Sequence, residues 1–167
     1  MRIENEEDLM QTIAEDEWMM NILRAVKTLD LPDWWICAGF VRSKIWDVLH
    51  DYRKRTPIKD IDVIYFDLSD QKEKTEKEFE KKLHSLMPTI PWSVKNQARM
   101  HVINKLPPYS SSTDGIAHFP ETATALGVKL GEDGLLKLTT PWGLHDAIHL
   151  DVKPTPPYLN KEEMTNL

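Results

Sequence analysis

The sequence predicts an α/β protein built on a mixed sheet, and three observations carry that expectation. Short apolar runs rich in strand formers, at 34–38, 60–66 and 92–96, alternate with longer stretches of helical spacing. Pro32, Gly39, Pro57, Pro88 and Pro91 punctuate the joins between them. Farther on, Val128-Lys129-Leu130 and Leu135-Leu136-Lys137-Leu138 flank Gly131-Glu132-Asp133-Gly134, the pattern of a β-hairpin.

A length of 167 residues suits one domain with a real core and is short for two. We expect a single domain over 1–167: an N-terminal helix at 6–29, a head at 34–103, and a hairpin extension with a tail at 104–167. With 41% hydrophobic and 29% charged residues the composition is that of a soluble globular protein. The formal net charge of −6 argues against wrapping duplex DNA, where affinity rests on neutralising phosphates. A local basic groove around Arg42, Lys44, Arg53, Lys54 and Arg55 stays open. Cys37 is the one cysteine, so no internal disulfide forms, and its apolar setting reads as a buried, inert thiol. The acidic N-terminus lacks a signal core and no apolar run reaches membrane-spanning length, so the expected location is the cytoplasm, away from membranes.

Taken in order, Leu9, Ile13, Met20, Leu23 and Val26 make one helical stripe between Glu6 and Leu29, ended by Leu31-Pro32-Asp33. Trp34 to Ala38 reads as a buried strand broken by Gly39, and Val41, Ile45 and Val48 or Leu49 put a helix after it, to about Asp51. A basic loop, 52–59, feeds the strand Asp60–Phe66. Asp70 with Glu73 resembles a capping box opening a helix to Leu86, with Phe79, Leu83 and Leu86 or Met87 inward and a solvated face of alternating Lys and Glu. Trp92–Asn96 is a third strand, and 99–103 fits strand or helix. The stretch 107–115 reads as a loop, 119–126 as a short helix or extended segment, 141–149 as a turn or short helix, and Pro154 onward as an extended tail.

The chemistry gathers between Ala38 and Asp67. On a strand, residues two apart face the same side, so Asp60 and Asp62 aim their carboxylates together. Hard oxygen ligands of this kind suit Mg²⁺ or Mn²⁺, which bind substrate phosphates through their remaining positions. Two acids at the head of an apolar strand repel unless a cation or a neighbour such as Lys59 offsets them. Gly39, between strand and helix, allows a phosphate to approach backbone N–H groups, and Arg42 in the first turn reaches either that phosphate or the aspartates.

This order of elements resembles the DNA polymerase β-type nucleotidyltransferase superfamily, where a glycine turn precedes a helix and an Asp-x-Asp strand follows. Ala38-Gly39-Phe40-Val41-Arg42-Ser43 is similar to the Gly-Gly-x-Val-Arg-Asp of the tRNA-nucleotidyltransferase and poly(A) polymerase branch, with Ala38 and Ser43 departing from it. Pro57-Ile58-Lys59-Asp60-Ile61-Asp62 is similar to that branch's Pro-x-Asp-Ile-Asp. A closer resemblance is to small bacterial nucleotidyltransferase-like proteins, carried also by Trp92 to His101, Pro120 to Thr124, Pro141 to Asp146 and Lys153-Pro154.

The resemblance implies a nucleotidyltransferase-like fold with flanking helices and a C-terminal hairpin. It implies transfer of a nucleoside monophosphate from an NTP to an acceptor hydroxyl on a small molecule, an RNA end or a protein. Pyrophosphate would be released, and Asp60 and Asp62 would be catalytic metal ligands for Mg²⁺ or Mn²⁺. Ala38, Gly39, Phe40, Arg42, Lys59, Asn96, Arg99 and His101 are the candidates for nucleotide and phosphate contacts. Active superfamily members usually place a third carboxylate on the next strand. Trp92–Asn96 holds no acid, which leaves Asn96 as a neutral ligand or Asp67 or Glu121 as substitutes. Without a third acid the alternative is a nucleotide-binding or regulatory interaction module. Asn96, Arg99 and His101 equally read as a hydrogen-bonded turn. His145 and His149, four apart, lack a third local ligand for zinc. Nucleophile-elbow, phosphate-loop and dinucleotide fingerprints are absent.

Overall fold

A computed structural model describes residues 2–158. Twelve elements follow in chain order among them: α1 Glu6–Ala14, α2 Glu17–Lys27, β1 Trp35–Cys37, α3 Gly39–Leu49, β2 Ile61–Tyr65, α4 Glu73–Leu86, β3 Trp92–Asn96, α5 Gln97–Asn104, α6 Ser112–Ala117, β4 Gly127–Leu130, β5 Leu136–Thr139 and α7 His145–Ile148. The strands form one mixed sheet in the order β3-β2-β1-β4-β5. β2 and β3 run parallel across α4, and the other neighbours are antiparallel.

The helix expected over 6–29 is two helices. Asp16 interrupts it because its carboxylate accepts the Met19 N–H at 3.1 Å and caps α2, while Asn5 caps α1 through the Asp8 N–H. Buried Asp16 also takes Lys44 Nζ at 2.8 Å and Arg55 Nη2 at 2.9 Å, tying the start of α2 to α3 and to the basic loop. Burial pushes its proton affinity up, but the hydrogen bonds from Lys44, Met19 and Arg55 outweigh it and hold the carboxyl below the ordinary range. Two members of the expected basic groove are therefore already engaged.

Alternation along the strands sorts the sheet into two faces. Ile36, Val63, Val94 and Val128, in register with one another, meet Leu9, Ile13, Ile22, Leu23 and Val26 of the first two helices in the main core. Each such side chain contributes about 1.5–3 kcal/mol on burial. The opposite face carries a smaller cluster of Trp35, Cys37, Ile64, Ile116 and Ala125, with Phe119 packed on it. The hairpin forms as expected, with Gly134 at φ +77° and the Gly131 N–H bonded to the Leu135 carbonyl at 2.8 Å.

Three other expectations change. Asp70 does not cap α4: its carboxylate accepts the Lys72 N–H at 3.1 Å and the Thr75 hydroxyl at 2.7 Å, and Lys72 stands at the cap without a side-chain bond. The expected solvated face of α4 includes Glu76, which is fully buried, and at the end of the inward stripe it is Met87 that packs on the core while Leu86 is 53% exposed. Within 107–115 the chain already starts α6, because Ser111 accepts the Asp114 N–H and Asp33 accepts that of Ser112. The stretch over 99–103 resolves as helix, its start capped by Asn96. Pro154 bridges Glu121, and the Thr155 hydroxyl donates to the Phe119 carbonyl at 2.5 Å, folding the tail onto 119–125.

Candidate active site

The smaller face of the sheet opens into a cleft of about 420 Å³. Its floor is set by register. Asp62 on β2 lies opposite Cys37 on β1 and Ser93 on β3, and Lys95 lies opposite Ile64. Paired residues share a face, so Asp62, Ser93 and Lys95 all look into the cleft, and Asp60 enters from the residue before the strand. Burial pushes the Asp62 carboxyl up to about 6, and the negative charge of Asp60 adds to the rise while Lys95 opposes it. Cys37, fully buried below, has its thiol pushed well up by burial and then by Asp62, which fits an inert role.

The facing wall is the start of α3. Ala38 sits at φ +59° and ψ −126°, a conformation that suits glycine, and no side chain caps the helix behind it. Its carbonyl accepts the N–H groups of Val41 and Arg42, which leaves the first N–H groups of α3 without intrahelical partners at the cleft. At Gly39 the φ is ordinary, and a Cβ there would stand 3.6 Å from both Arg42 Nη2 and Ile58 Cγ2. The left-handed turn thus falls on Ala38, while a Cβ at Gly39 would make only ordinary contacts. The Arg42 guanidinium lies 5.2 Å from the Trp46 ring centroid. Its Nε is buried without a hydrogen-bond partner among the described residues. A buried donor left open beside a helix N-terminus is a place for an anion.

The structure brings Ala38, Gly39, Arg42, Lys59, Asp60 and Asp62 together around this cleft. It does not bring Phe40, Asn96, Arg99 or His101 to its lining. The Phe40 side chain is in the main core, with its ring 6.2 Å from that of Trp18. Asn96 and Arg99 belong to a buried network beside α4. The Asn96 amide donates to the carbonyls of Asp67 and Asp70 at 2.8 and 2.9 Å and its oxygen accepts the N–H groups of Asp67 and Ala98. Glu76 accepts the Asn96 N–H and a fork from Arg99 at 2.5 and 2.6 Å, which keeps the arginine's proton affinity above its usual value. His101 packs near Tyr109, ring centroids 6.2 Å apart.

Neither substitute for the third carboxylate lines the cleft. Asp67 is bound to its own turn through Ser69, and Glu121 lies on the bridge to Pro154. Among the described residues the one group of three acid or imidazole side chains close enough to share an ion is His145, Asp146 and Asp151, outside this cleft. Lys153 already stands 3.4 Å from Asp146 and 3.7 Å from Asp151. The Thr122 hydroxyl, together with His145 and Lys153, holds the Asp146 carboxyl low. Lys95 and Gln97, absent from the sequence-based set, line the cleft. Strand parity from Asp62 across to β3 points to Lys95, whereas no sequence signal marks Gln97.

A nucleotidyltransferase family model matches residues 24–166. The chain belongs to the nucleotidyltransferase family. Its fold is similar to a solved structure described as a CCA-adding enzyme head domain, with TM-score 0.85 and 36% identity over 98% of this chain and 86% of that one. A CCA-adding enzyme in complex with CTP matches at TM-score 0.60 and 14% identity, over 99% of this chain and 40% of that one. A Thermotoga maritima CCA-adding enzyme complexed with tRNA matches at TM-score 0.56 and 14% identity, and again this nucleotidyltransferase spans 40% of the longer chain. The two longer enzymes share the fold. No curated protein matches the chain. Among the described residues no helix is long and apolar enough to cross a membrane.

Proposed function

We propose that this nucleotidyltransferase transfers a nucleoside monophosphate from an NTP to an acceptor hydroxyl, with Asp60 and Asp62 holding a divalent cation. One observation carries the reading. Two adjacent carboxylates face, across one cleft, a helix start with uncapped N–H groups and an unpaired Arg42. The donors are hard carboxylate oxygens and their mutual repulsion asks for a cation, which fits Mg²⁺ or Mn²⁺. When bound, such an ion supplies Lewis-acid activation of the phosphoryl group.

The chain's own residues do the rest. The α3 N-terminus and Arg42 receive the negative triphosphate, and Lys59 and Lys95 add positive charge on either side of the aspartates. The acceptor oxygen forms a bond to the α-phosphorus as the bond to the bridging oxygen of the β-phosphate breaks. Pyrophosphate leaves with that electron pair, and the hydroxyl proton is released to solvent. The CTP and tRNA complexes of similar enzymes support an NTP donor and are compatible with an RNA hydroxyl as acceptor.

Ser93 and Lys95, in place of an acid beside Asp62, favour one second reading: a nucleotide-binding module without turnover. Pyrophosphate release and thermal shift with the four NTPs, in Mg²⁺ and in EDTA, decide between them. Turnover that is lost in Asp60→Ala/Asp62→Ala supports the enzyme. Metal-dependent stabilisation without turnover, over a range of hydroxyl acceptors, supports the module. No NTP stabilisation sinks both.

A further inference from the structure

We propose that Gln97 is a specificity-determining residue that reads the base of the bound nucleotide; this rests on the nucleotide reading above. Gln97 is 4% exposed, yet its side chain lines the cleft. Among the described residues its side chain makes no hydrogen bond. A primary amide offers one acceptor and two donors, and none of these is used up by a protein partner. The open side of this amide is the cleft.

Its position is built rather than incidental. α6 presents Gly115 to it so closely that a Cβ there would lie 2.5 Å from Gln97 Oε1 and 3.1 Å from its Cγ and Cδ. The glycine therefore seats the amide against α6 backbone. The cleft that holds it combines apolar side chains, Met100, Phe119 and Pro120, with the charged Asp60, Asp62 and Lys59. Flat apolar surface beside a single amide is the environment that binds a base, by stacking and by a paired donor and acceptor on its edge. Gln97 lies four residues along from Ser93, the partner of Asp62, or roughly 13 Å at strand rise. That separation is comparable to the reach of a nucleoside triphosphate from its phosphates to its base.

The test compares ATP, CTP, GTP and UTP with tripolyphosphate, a probe without a base, by calorimetry on the full chain. The wild type discriminates among the four NTPs. Gln97→Leu weakens the preferred NTP by roughly ten-fold and flattens the preference, while tripolyphosphate affinity is unchanged. Gly115→Ala, which displaces the same amide, gives the same pattern. Should Gln97→Leu not fold, the near-isosteric Gln97→Glu replaces it and reorders the four affinities. Equal loss for tripolyphosphate and NTPs would make Gln97 a structural residue and overturn the inference. So would wild-type binding with no base preference, although the phosphate site would stand. A wild type that binds neither NTP nor tripolyphosphate overturns the nucleotide reading itself.

Discussion

The two faces of β3 treat charge in opposite ways. Toward α4, Glu76, Arg99 and Asn96 use up one another's hydrogen-bonding capacity in a buried network. Toward the cleft, Asp60, Asp62, Lys95 and Arg42 form no ion pair among the described residues, and Arg42 keeps an unpaired buried Nε. A network that satisfies itself holds the fold. Charges left open at the rim and wall of a cleft, at a cost in stability, are available to a ligand.

The sharpest way to break this comparison is to remove carboxylates from each side in turn. Asp60→Ala/Asp62→Ala lowers pyrophosphate release by roughly 10³-fold, with the protein folded and no less stable in a melt. Glu76→Ala does the reverse. It strands Arg99 and the Asn96 N–H in the interior and costs about 3–5 kcal/mol by urea denaturation, without changing NTP affinity of the folded fraction. Comparable stability losses for both variants would erase the distinction between the faces.

A smaller effect follows from the raised proton affinity of Asp62. Folded Asp62 holds its proton up to about pH 6, whereas the unfolded carboxyl releases it near the ordinary value of 3.8. Between those values the native state binds more protons, so stability falls as pH rises, and the full penalty is present above about pH 6. Asp62→Asn therefore stabilises the metal-free protein by about 1–3 kcal/mol at pH 7.5, and the gain disappears below about pH 4. A gain that is constant with pH would place its origin elsewhere. Saturating Mg²⁺ with NTP removes the advantage, because the wild type then gains ligand stabilisation that the variant lacks.

The smallest expected change is at Ala38. Its φ of +59° with ψ of −126° is strained for a residue with a Cβ, so Ala38→Gly relieves about 1–3 kcal/mol and gives back up to about 1 kcal/mol through the looser unfolded chain. The net result is a modest rise in melting temperature with unchanged NTP affinity. A fall in both would mean that the alanine methyl itself supports the turn.

Much of this molecule is legible from local pattern. β3 and the hairpin follow from runs of apolar residues between turn formers, and Asp60 with Asp62 follows from strand parity beside a glycine turn. The departures share a cause, which is that a polar side chain does not announce its partner. Asp16 breaks the first helix by capping α2, and it stays buried there because Lys44 and Arg55 come to it from later in the chain. Glu76 looks like one more surface glutamate until Arg99 and the end of β3 close over it.

The sequence by itself determined the strand-helix alternation, the acidic pair, and the arginine following the glycine turn, because each depends on neighbours within a few residues. Only the tertiary structure decided which side of β3 each polar residue serves. Register places Ser93 and Lys95 beside Asp62, where alternation along β3 leaves Asn96 on the other face. Packing of α6 through Gly115 seats the Gln97 amide in the cleft. Both depend on contacts between segments far apart in sequence, whose geometry no local pattern encodes.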